Sequence, residues 1–318
     1  MNVVALAGGV GGAKMAEGLA QTLLPENLTV IVNTGDDFEH LGLKICPDLD
    51  TVCYTLAGIG NPGTGWGRAD ETWYAMDNLI ALGGPDWFRL GDKDLGTHLE
   101  RTRLLRKGIS LSQVTTKFCQ VWGVESVVVP MSDDIVSTIV CTENGDIPFQ
   151  EYFVRLQFQP KVSGFRFEGI KNARPSPGVL ESIKKADLVV ICPSNPWVSI
   201  DPILSVNGIR DILKSRPVLA ISPIIGGRAI KGPAAKMFTE LGIEPSPLAV
   251  ANHYGSGKSG GLLDGFVLDR IDERYKNDIQ EMGIQPFVTE TMLNSQTARL
   301  SLGQNVLLYG KELVRSIY

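Results

Sequence analysis

Four glycines within five positions follow an apolar run at the start of the chain. Residues 3–7 are apolar and follow Asn2, and a helical pattern of apolar residues begins after the glycines. Glycine has no Cβ, so its N–H can approach a phosphate closely, and a helix N-terminus favours the negative charge. The pattern predicts a strand, a helix and, between them, a phosphate-binding loop, as an alternative to a plain tight turn. The loop residues are Gly8, Gly9, Val10, Gly11, Gly12 and Lys14.

This loop fits neither common nucleotide-binding fingerprint. A dinucleotide motif beginning at Gly9 would place Lys14 where glycine or alanine belongs, and a P-loop lysine is followed by Ser or Thr rather than Met15. The loop therefore predicts a phosphorylated ligand without identifying it.

Two groups of carboxylates follow shortly after. Asp36 and Asp37 come after an apolar run that ends at Asn33, and Asp48 and Asp50 lie in the first turn of a predicted helix. Adjacent acids after a strand suit Mg²⁺ better than a ribose, although a solvated turn or a helix cap uses the same residue types. Because Asp48 and Asp50 cannot both cap one amide, we expect one of them to hold a metal or orient a hydroxyl.

Aromatic, basic and small polar residues form the other candidates. Trp66 lies in a glycine-rich segment, which predicts either a loop over an apolar patch or a lid that stacks on a flat ring. His98 and Arg101 share a helix face, where they reach either one ligand or solvent. Later strand ends carry groups suited to phosphate or to a base edge. These are Ser194, Asn195 and Ser199 after one run and Gly226, Gly227 and Lys231 after the next.

These residues must be positioned by alternating strands and helices. Apolar runs predict strands at 2–7, 28–33, 125–130, 187–193, 217–222 and 248–253, and amphipathic segments predict helices between them at 13–24, 69–82, 95–107, 111–122, 202–213 and 233–241. The alternation predicts an α/β fold with a doubly wound, mostly parallel, Rossmann-like sheet. Consecutive strands at 135–141, 149–158 and 162–168 predict a small β-rich insertion at 133–171 within a core of 1–132 and 172–318.

Composition limits the possible partners and metals. The net charge is −5 over 318 residues, without Lys/Arg blocks, which argues against nucleic acid or an anionic membrane as partner. No apolar run of membrane-spanning length and no basic leader is present, so we expect a cytoplasmic protein. Five cysteines form no C-x-x-C and three histidines form no H-E-x-x-H, which leaves hard cations held by carboxylates.

The order and spacing of the motifs resemble the 2-phospho-L-lactate transferases, the CofD family of deazaflavin coenzyme F-420 biosynthesis. The similarity covers nearly the whole chain, through GGVGGAK at 8–14, NTGDD at 33–37, PDLD at 47–50, GDKDL at 91–95, SNP at 194–196 and SPIIGG at 222–227. The resemblance implies transfer of 2-phospho-L-lactate from lactyl-2-diphospho-5′-guanosine to the ribitol hydroxyl of 7,8-didemethyl-8-hydroxy-5-deazariboflavin (Fo), with release of GMP. It also implies Mg²⁺ as cofactor and a homodimer. Related bacterial members use a phosphoenolpyruvyl donor, which the sequence leaves open.

The resemblance also suggests roles for individual residues. It implies contacts to the deazaflavin from Asp50 and Arg89, with Asn33, Trp66, Thr97 and His98 as further candidates. We expect Asp36, Asp37 and Asp50 to serve catalysis and to hold the metal. We expect the glycine loop, Ser194, Asn195 and Ser199 to bind guanosine diphosphate, and Gly226, Gly227 and Lys231 to bind phosphate or guanine.

Two other functions remain open at this point. A nicotinamide-dependent oxidoreductase would use the glycine loop for pyrophosphate and Asp36 for ribose, but it leaves Lys14 and the second glycine pair unexplained. A non-catalytic nucleotide-sugar-binding regulator of the same superfamily would bind a nucleotide as well. A deazaflavin pocket with carboxylates separates the transferase from the regulator, and a melting-temperature shift with GDP rather than NAD separates it from the oxidoreductase.

Overall fold

The computed structural model describes residues 1–229 and 232–317. The strands are β1 (Val3–Ala7), β2 (Leu28–Val32), β3 (Phe38–His40), β4 (Leu43–Ile45), β5 (Val127–Pro130), β6 (Ser137–Thr142), β7 (Gly145–Pro148), β8 (Val162–Glu168), β9 (Leu188–Ile191), β10 (Val218–Ile221), β11 (Ile224–Ile225), β12 (Arg228–Ala229), β13 (Gly265–Asp269) and β14 (Gln285–Thr289). The helices are α1 (Gly9–Ala20), α2 (Pro47–Leu56), α3 (Tyr74–Ala81), α4 (Asp92–Arg106), α5 (Leu111–Val121), α6 (Val179–Lys185), α7 (Asp201–Ser205), α8 (Ile209–Leu213), α9 (Ala234–Glu240), α10 (Pro247–Tyr254), α11 (Lys276–Glu281) and α12 (Gln296–Ile317). Short π-helical turns occupy Glu151–Arg155 and Pro196–Ile200.

A parallel seven-stranded sheet with helices on both faces confirms the predicted fold class. Its strand order is β14-β13-β10-β9-β1-β2-β5. After β1 the chain forms β2 next to one edge of β1, and much later it forms β9 next to the opposite edge. The crevice at the carboxyl ends of β1 and β9 is therefore the topological switch point, where open α/β sheets bind ligands.

Alternating strand residues contribute to two cores, one on each face of the sheet. Val4 and Leu6 of β1 pack with the core that includes α6 to α10, whereas Val3, Ala5 and Ala7 pack with residues of α1, α2 and α12. A parallel sheet buried on both faces accounts for the continuous apolar runs in its strands. Within the described residues, no helix is both long enough and apolar enough to cross a membrane.

The strand predicted at 248–253 is wrong, because this segment forms α10. Ser246 caps the helix through its hydroxyl, which accepts from the N–H of Ala249, and Pro247 occupies the first helical position. Both signals are typical of a helix start and outweigh the short apolar run. The sheet instead gains β13 and β14, which were not predicted. Pro286 in β14 is compatible with an edge strand, which leaves one side of its backbone unpaired.

The insertion contains a three-stranded antiparallel sheet in the order β7-β6-β8. The strand predicted at 162–168 is confirmed, and the Asn144-Gly145 turn connects β6 to β7. The strand predicted at 149–158 is wrong, since this segment contains a π-helical turn and the third strand is β7. The predicted boundaries of the insertion, 133 and 171, stay a prediction.

Candidate functional site

The glycine loop after β1 lies so close to other backbone that side chains would not fit. A Cβ on Gly11 would lie 2.2 Å from the carbonyl oxygen of Pro193, which follows β9. One on Gly12 would lie 2.7 Å from the Ser194 hydroxyl oxygen. Gly9 has φ +63°, a backbone conformation that favours glycine. The predicted loop is largely helical, because Gly8 is the N-cap of α1 and Gly9–Gly12 form its first turn, four residues before the predicted helix start. This glycine segment, still called the glycine loop below, is packed against the segment after β9, at the switch point of the sheet.

Ser194 joins the ends of β1 and β9. Its hydroxyl donates to the carbonyl oxygen of Gly8 at 2.8 Å and accepts from the N–H of Gly8 at 3.2 Å. Asn195 caps the following π-helical turn, because its Oδ1 accepts from the N–H of Trp197 at 3.0 Å. Ser199 lies in that turn, and a Cβ on Gly8 would come 2.6 Å from the Ser199 Cβ. Ser194 and Ser199 thus contact the glycine loop, while the side-chain oxygen of Asn195 serves as a cap.

Asn33, at the end of β2, connects three segments of the site. Its Nδ2 donates to Oδ2 of Asp48 at 2.9 Å and to the carbonyl oxygen of Val198 at 3.1 Å. Its Oδ1 accepts from the N–H of Gly35 at 2.8 Å. A Cβ on Gly8 would lie 2.7 Å from Oδ2 of Asp48, and one on Gly9 would lie 3.6 Å from its Oδ1. The carboxylate of Asp48 thus lies against the start of α1, and the glycine loop meets the end of β2 there.

The pKa of Asp48 reflects this position. Burial raises its pKa to about 6, the hydrogen bonds from Asn33 and Gly9 oppose the rise, and the charge of Asp37 adds to it. A carboxyl group with that pKa changes its protonation state close to neutral pH. The start of α1, where the sequence predicts a phosphate site, therefore lies beside a titratable group of the chain itself.

Asp36 and Asp37 are buried beside Asp48. Burial raises the pKa of Asp36 well above its usual value, and the charges of Asp48 and Asp37 raise it further. Burial also raises the pKa of Asp37, while Lys44, whose Nζ lies 3.3 Å from Oδ2 of Asp37, opposes the rise. Oδ1 of each aspartate is buried with no hydrogen-bond partner among the described residues. Such a cluster of poorly compensated carboxylates is stabilised by a proton or by a cation.

The donor set at this cluster fits Mg²⁺ supported by a ligand phosphate. Across the described residues, no three His, Cys, Asp or Glu side chains converge closely enough to hold a metal by themselves. Mg²⁺ commonly uses only one or two carboxylates and completes its shell with substrate phosphates and water. The buried Oδ1 atoms of Asp36 and Asp37 are oxygen donors of this kind.

Asp50 points into a different environment, between α2 and α4. Its two carboxylate oxygens accept hydrogen bonds from the two terminal nitrogens of Arg101, the Nη1 to Oδ2 distance being 3.0 Å. Arg101 Nη1 also lies 3.1 Å from Nδ1 of His98. Asp94 lies 3.5 Å from the other ring nitrogen of His98 and accepts from the Tyr54 hydroxyl at 2.7 Å. Asp50 therefore belongs to a buried polar network, and its carboxylate is engaged by arginine.

The remaining acceptor candidates lie in three environments. Thr97 is buried in α4. Trp66 is 53% exposed and lines a cleft of about 110 Å³. Arg89 is exposed and pairs with Asp77 of α3 at 2.7 Å. The cleft brings Trp66 together with Lys14, Thr51, Tyr54, Asn61 and Arg299.

Gly226 and Gly227 form the two-residue turn between β11 and β12. Their φ angles are +57° and +74°, as the turn of a tight hairpin requires. The N–H of Gly226 donates to Oδ2 of Asp272 at 2.8 Å, so it already has an anionic acceptor within the chain. Lys231, the third member of this predicted anion site, lies outside the described residues.

Comparison with known proteins identifies the family. The family model described as 2-phospho-L-lactate transferase CofD matches residues 3–303. The chain belongs to the CofD family. It is therefore a transferase of a phosphate-containing group, as the sequence predicts.

Several relatives of this CofD chain are named phosphoenolpyruvate transferase. The one from Streptomyces griseus is 43% identical over 320 residues, covering 98% of this chain and 99% of its own length. The one from Thermobifida fusca is 45% identical over 285 residues, covering 86% and 87%. A crystal structure of a UPF0052 family protein from Bacillus halodurans has the same fold, with a TM-score of 0.63 at 17% identity over 96% of this chain and 98% of that one.

Sequence reasoning left the contacts of three residues at this candidate site unidentified. Asp48 was a candidate helix cap, metal ligand or hydroxyl-orienting group, but its position against the start of α1 was not predicted. Lys44 and Asp94 were given no role. In the structure, Lys44 pairs with Asp37, and Asp94 lies beside His98. The four-residue spacing of Asp94 and His98 on one helix was a usable signal, whereas the contacts of Asp48 and Lys44 cross between elements.

Proposed function

We propose that this chain transfers a three-carbon 2-phospho acid unit from a guanosine-diphosphate-activated donor to the ribitol hydroxyl of Fo. The observation that best supports this is the meeting of the glycine loop and the acidic cluster at Asp48. One surface thus offers backbone N–H groups for a diphosphate and carboxylates for a cation that neutralises it.

The transferred unit is phosphoenolpyruvate in this proposal. The names of the relatives at 42 to 45% identity favour it over the lactyl unit, which the resemblance placed first. Both donors carry the same guanosine diphosphate portion, so the glycine loop, Ser194 and Ser199 serve either one. The choice between them depends on contacts to the three-carbon end.

In the proposed reaction, the acceptor hydroxyl oxygen bonds to the phosphorus that carries the three-carbon unit. The bond from that phosphorus to the oxygen of GMP breaks, GMP leaves with this oxygen, and the hydroxyl proton passes to solvent. Such transfers depend mainly on alignment and on neutralised phosphoryl oxygens. Asp50 orients the hydroxyl as a hydrogen-bond acceptor, while the backbone of the glycine loop and Ser194 hold the diphosphate.

Mg²⁺ is the proposed cofactor, held by Asp36 and Asp37. When bound, it neutralises charge on the phosphoryl oxygens of the donor. Asp50 is not included among the metal ligands, because both of its oxygens accept from Arg101. The homodimer expected from the resemblance stays a prediction.

The two-substrate proposal is tested by simultaneous binding. Fo fluorescence is titrated with protein in the absence and presence of saturating GDP and Mg²⁺. We expect Fo to bind in both cases, because the residues proposed to hold Fo differ from those proposed to hold the guanosine diphosphate. Binding of GDP without binding of Fo would contradict the proposal and favour the regulator. A melting-temperature increase with NAD but not GDP would favour the oxidoreductase.

A further inference from the structure

We infer that Arg101 is a positioning residue that fixes the carboxylate of Asp50 for the acceptor hydroxyl. The inference rests on the proposed function, and it assigns a role to a residue that does not itself touch the substrate. Two observations carry it, namely the two-point contact with Asp50 and the network that holds Arg101 in turn.

The contact with Asp50 determines the orientation of the carboxylate. Arg101 is 2% exposed, and its two terminal nitrogens reach the two different oxygens of Asp50. A planar guanidinium that bonds both oxygens fixes the plane of the carboxylate, which a single point charge does not do. Each carboxylate oxygen keeps a second lone-pair direction, so Asp50 can still accept a hydrogen bond from a hydroxyl.

Arg101 is itself held from three directions. Its Nη1, whose two N–H groups also serve Asp50, lies 3.4 Å from the carbonyl oxygen of Lys44 and 3.1 Å from Nδ1 of His98, and its guanidinium carbon lies 5.9 Å from the centre of the Phe118 ring. These contacts restrict the side chain to one position.

The same arginine connects Asp50 to the acidic cluster. It bonds the backbone of Lys44, whose ammonium group pairs with Asp37. The β3–β4 hairpin that carries Lys44 also contacts α4 at a second point, since the Lys44 N–H donates to the Thr102 hydroxyl at 2.9 Å. A displacement of Arg101 thus disturbs Asp50 first, while the hairpin keeps another connection to α4.

The test compares Arg101→Lys and Arg101→Met with the wild-type protein. Lysine keeps the positive charge but not the two-point contact, so we expect kcat to fall by about 10- to 100-fold, as for a misplaced reacting group. We expect the KM for the donor and the Kd for GDP to stay within twofold, and the Lys variant to remain folded. Methionine leaves Asp50 without a partner, and we expect a larger loss of kcat and a lower melting temperature.

Arg106→Met is the matched control, because Arg106 also connects α4 to the β3–β4 hairpin, through the Gly42 carbonyl at 3.0 Å, but does not contact Asp50. We expect its kcat to be unchanged. A folded Arg101→Lys protein with wild-type kcat would overturn the inference, as would equal losses in Arg106→Met. If the wild-type protein itself catalyses no transfer, the proposed function fails instead, and the two failures are therefore distinguishable.

Discussion

The Ser194 hydroxyl bonds both backbone groups of Gly8, accepting from its N–H at 3.2 Å and donating to its carbonyl at 2.8 Å. These two hydrogen bonds join the carboxyl ends of β1 and β9, although Gly8 and Ser194 are 186 residues apart in the chain. The position of the glycine loop therefore depends on the segment after β9 as much as on β1. Substitutions on either side of this junction should affect nucleotide binding.

Gly11→Ala tests the close approach between the two segments. The added Cβ would lie 2.2 Å from the Pro193 carbonyl oxygen, so the loop must move. We expect the free energy of unfolding to fall by about 1 to 3 kcal/mol and GDP binding to weaken. Gly96→Ala in α4 is the control, because its added Cβ meets no atom within 4 Å apart from the adjacent residues and the backbone of its own helix. It should stabilise the protein by about 0.5–1 kcal/mol. Denaturant titration that gives equal stabilities for the two variants would refute the described packing.

Asp48→Asn tests the electrostatics at the start of α1. The folded-state pKa of about 6 lies above the unfolded value near 4, so the folded protein binds this proton more tightly. The stabilisation is complete below about pH 4 and is lost as the pH rises through 6. Relative to the Asn variant, the wild type should therefore lose roughly 2 kcal/mol between pH 4 and 7, measured by urea unfolding without divalent cations. Asp77→Asn, at an exposed site, is the control. Parallel pH curves for wild type and Asp48→Asn would contradict this pKa.

Asp36→Asn should increase stability while reducing activity. Burial and the charges of Asp48 and Asp37 oppose ionisation of Asp36, so a neutral isostere relieves the repulsion in the metal-free protein. If Asp36 holds Mg²⁺, the variant needs more Mg²⁺ for half-maximal rate and its kcat falls at least about tenfold. The measurements are the melting temperature without metal and the rate as a function of Mg²⁺ concentration. An unchanged Mg²⁺ requirement would remove Asp36 from the proposed metal site.

Trp66→Ala tests whether the exposed indole forms part of the acceptor pocket. Trp66 is half exposed at the edge of the cleft, so its removal should change the free energy of unfolding by less than about 0.5 kcal/mol. Loss of a stacking contact should raise the Kd for Fo about tenfold and leave GDP binding unchanged. Leu82→Ala, which removes another exposed apolar side chain, is the control. Unaltered Fo affinity would exclude the lid interpretation of this loop.

The sequence predicted those parts of the fold that depend on local signals. The first apolar run located β1, and the order of elements predicted the parallel sheet, but α1 begins at Gly9 rather than at the predicted residue 13. The segment at 248–253 was misassigned because a short apolar run has no clear period, although Ser246 and Pro247 signalled a helix. At the site, the buried carboxylates were identified as candidates, but their partners were not. Arg101 reaches Asp50 across 51 residues and Asp48 reaches the glycine loop from another helix, and neither contact leaves a mark in local spacing.

The most direct test of the central claim is the transfer reaction itself. Purified protein is incubated with Fo, Mg²⁺ and either the phosphoenolpyruvyl or the lactyl guanosine diphosphate donor, and the GMP and phosphodiester products are measured by mass. We predict stoichiometric GMP and phosphodiester, faster with the phosphoenolpyruvyl donor and abolished by chelation. Faster reaction with the lactyl donor would reverse only the choice of donor. Absence of the phosphodiester with both donors, in protein that binds GDP, would contradict the proposed transfer.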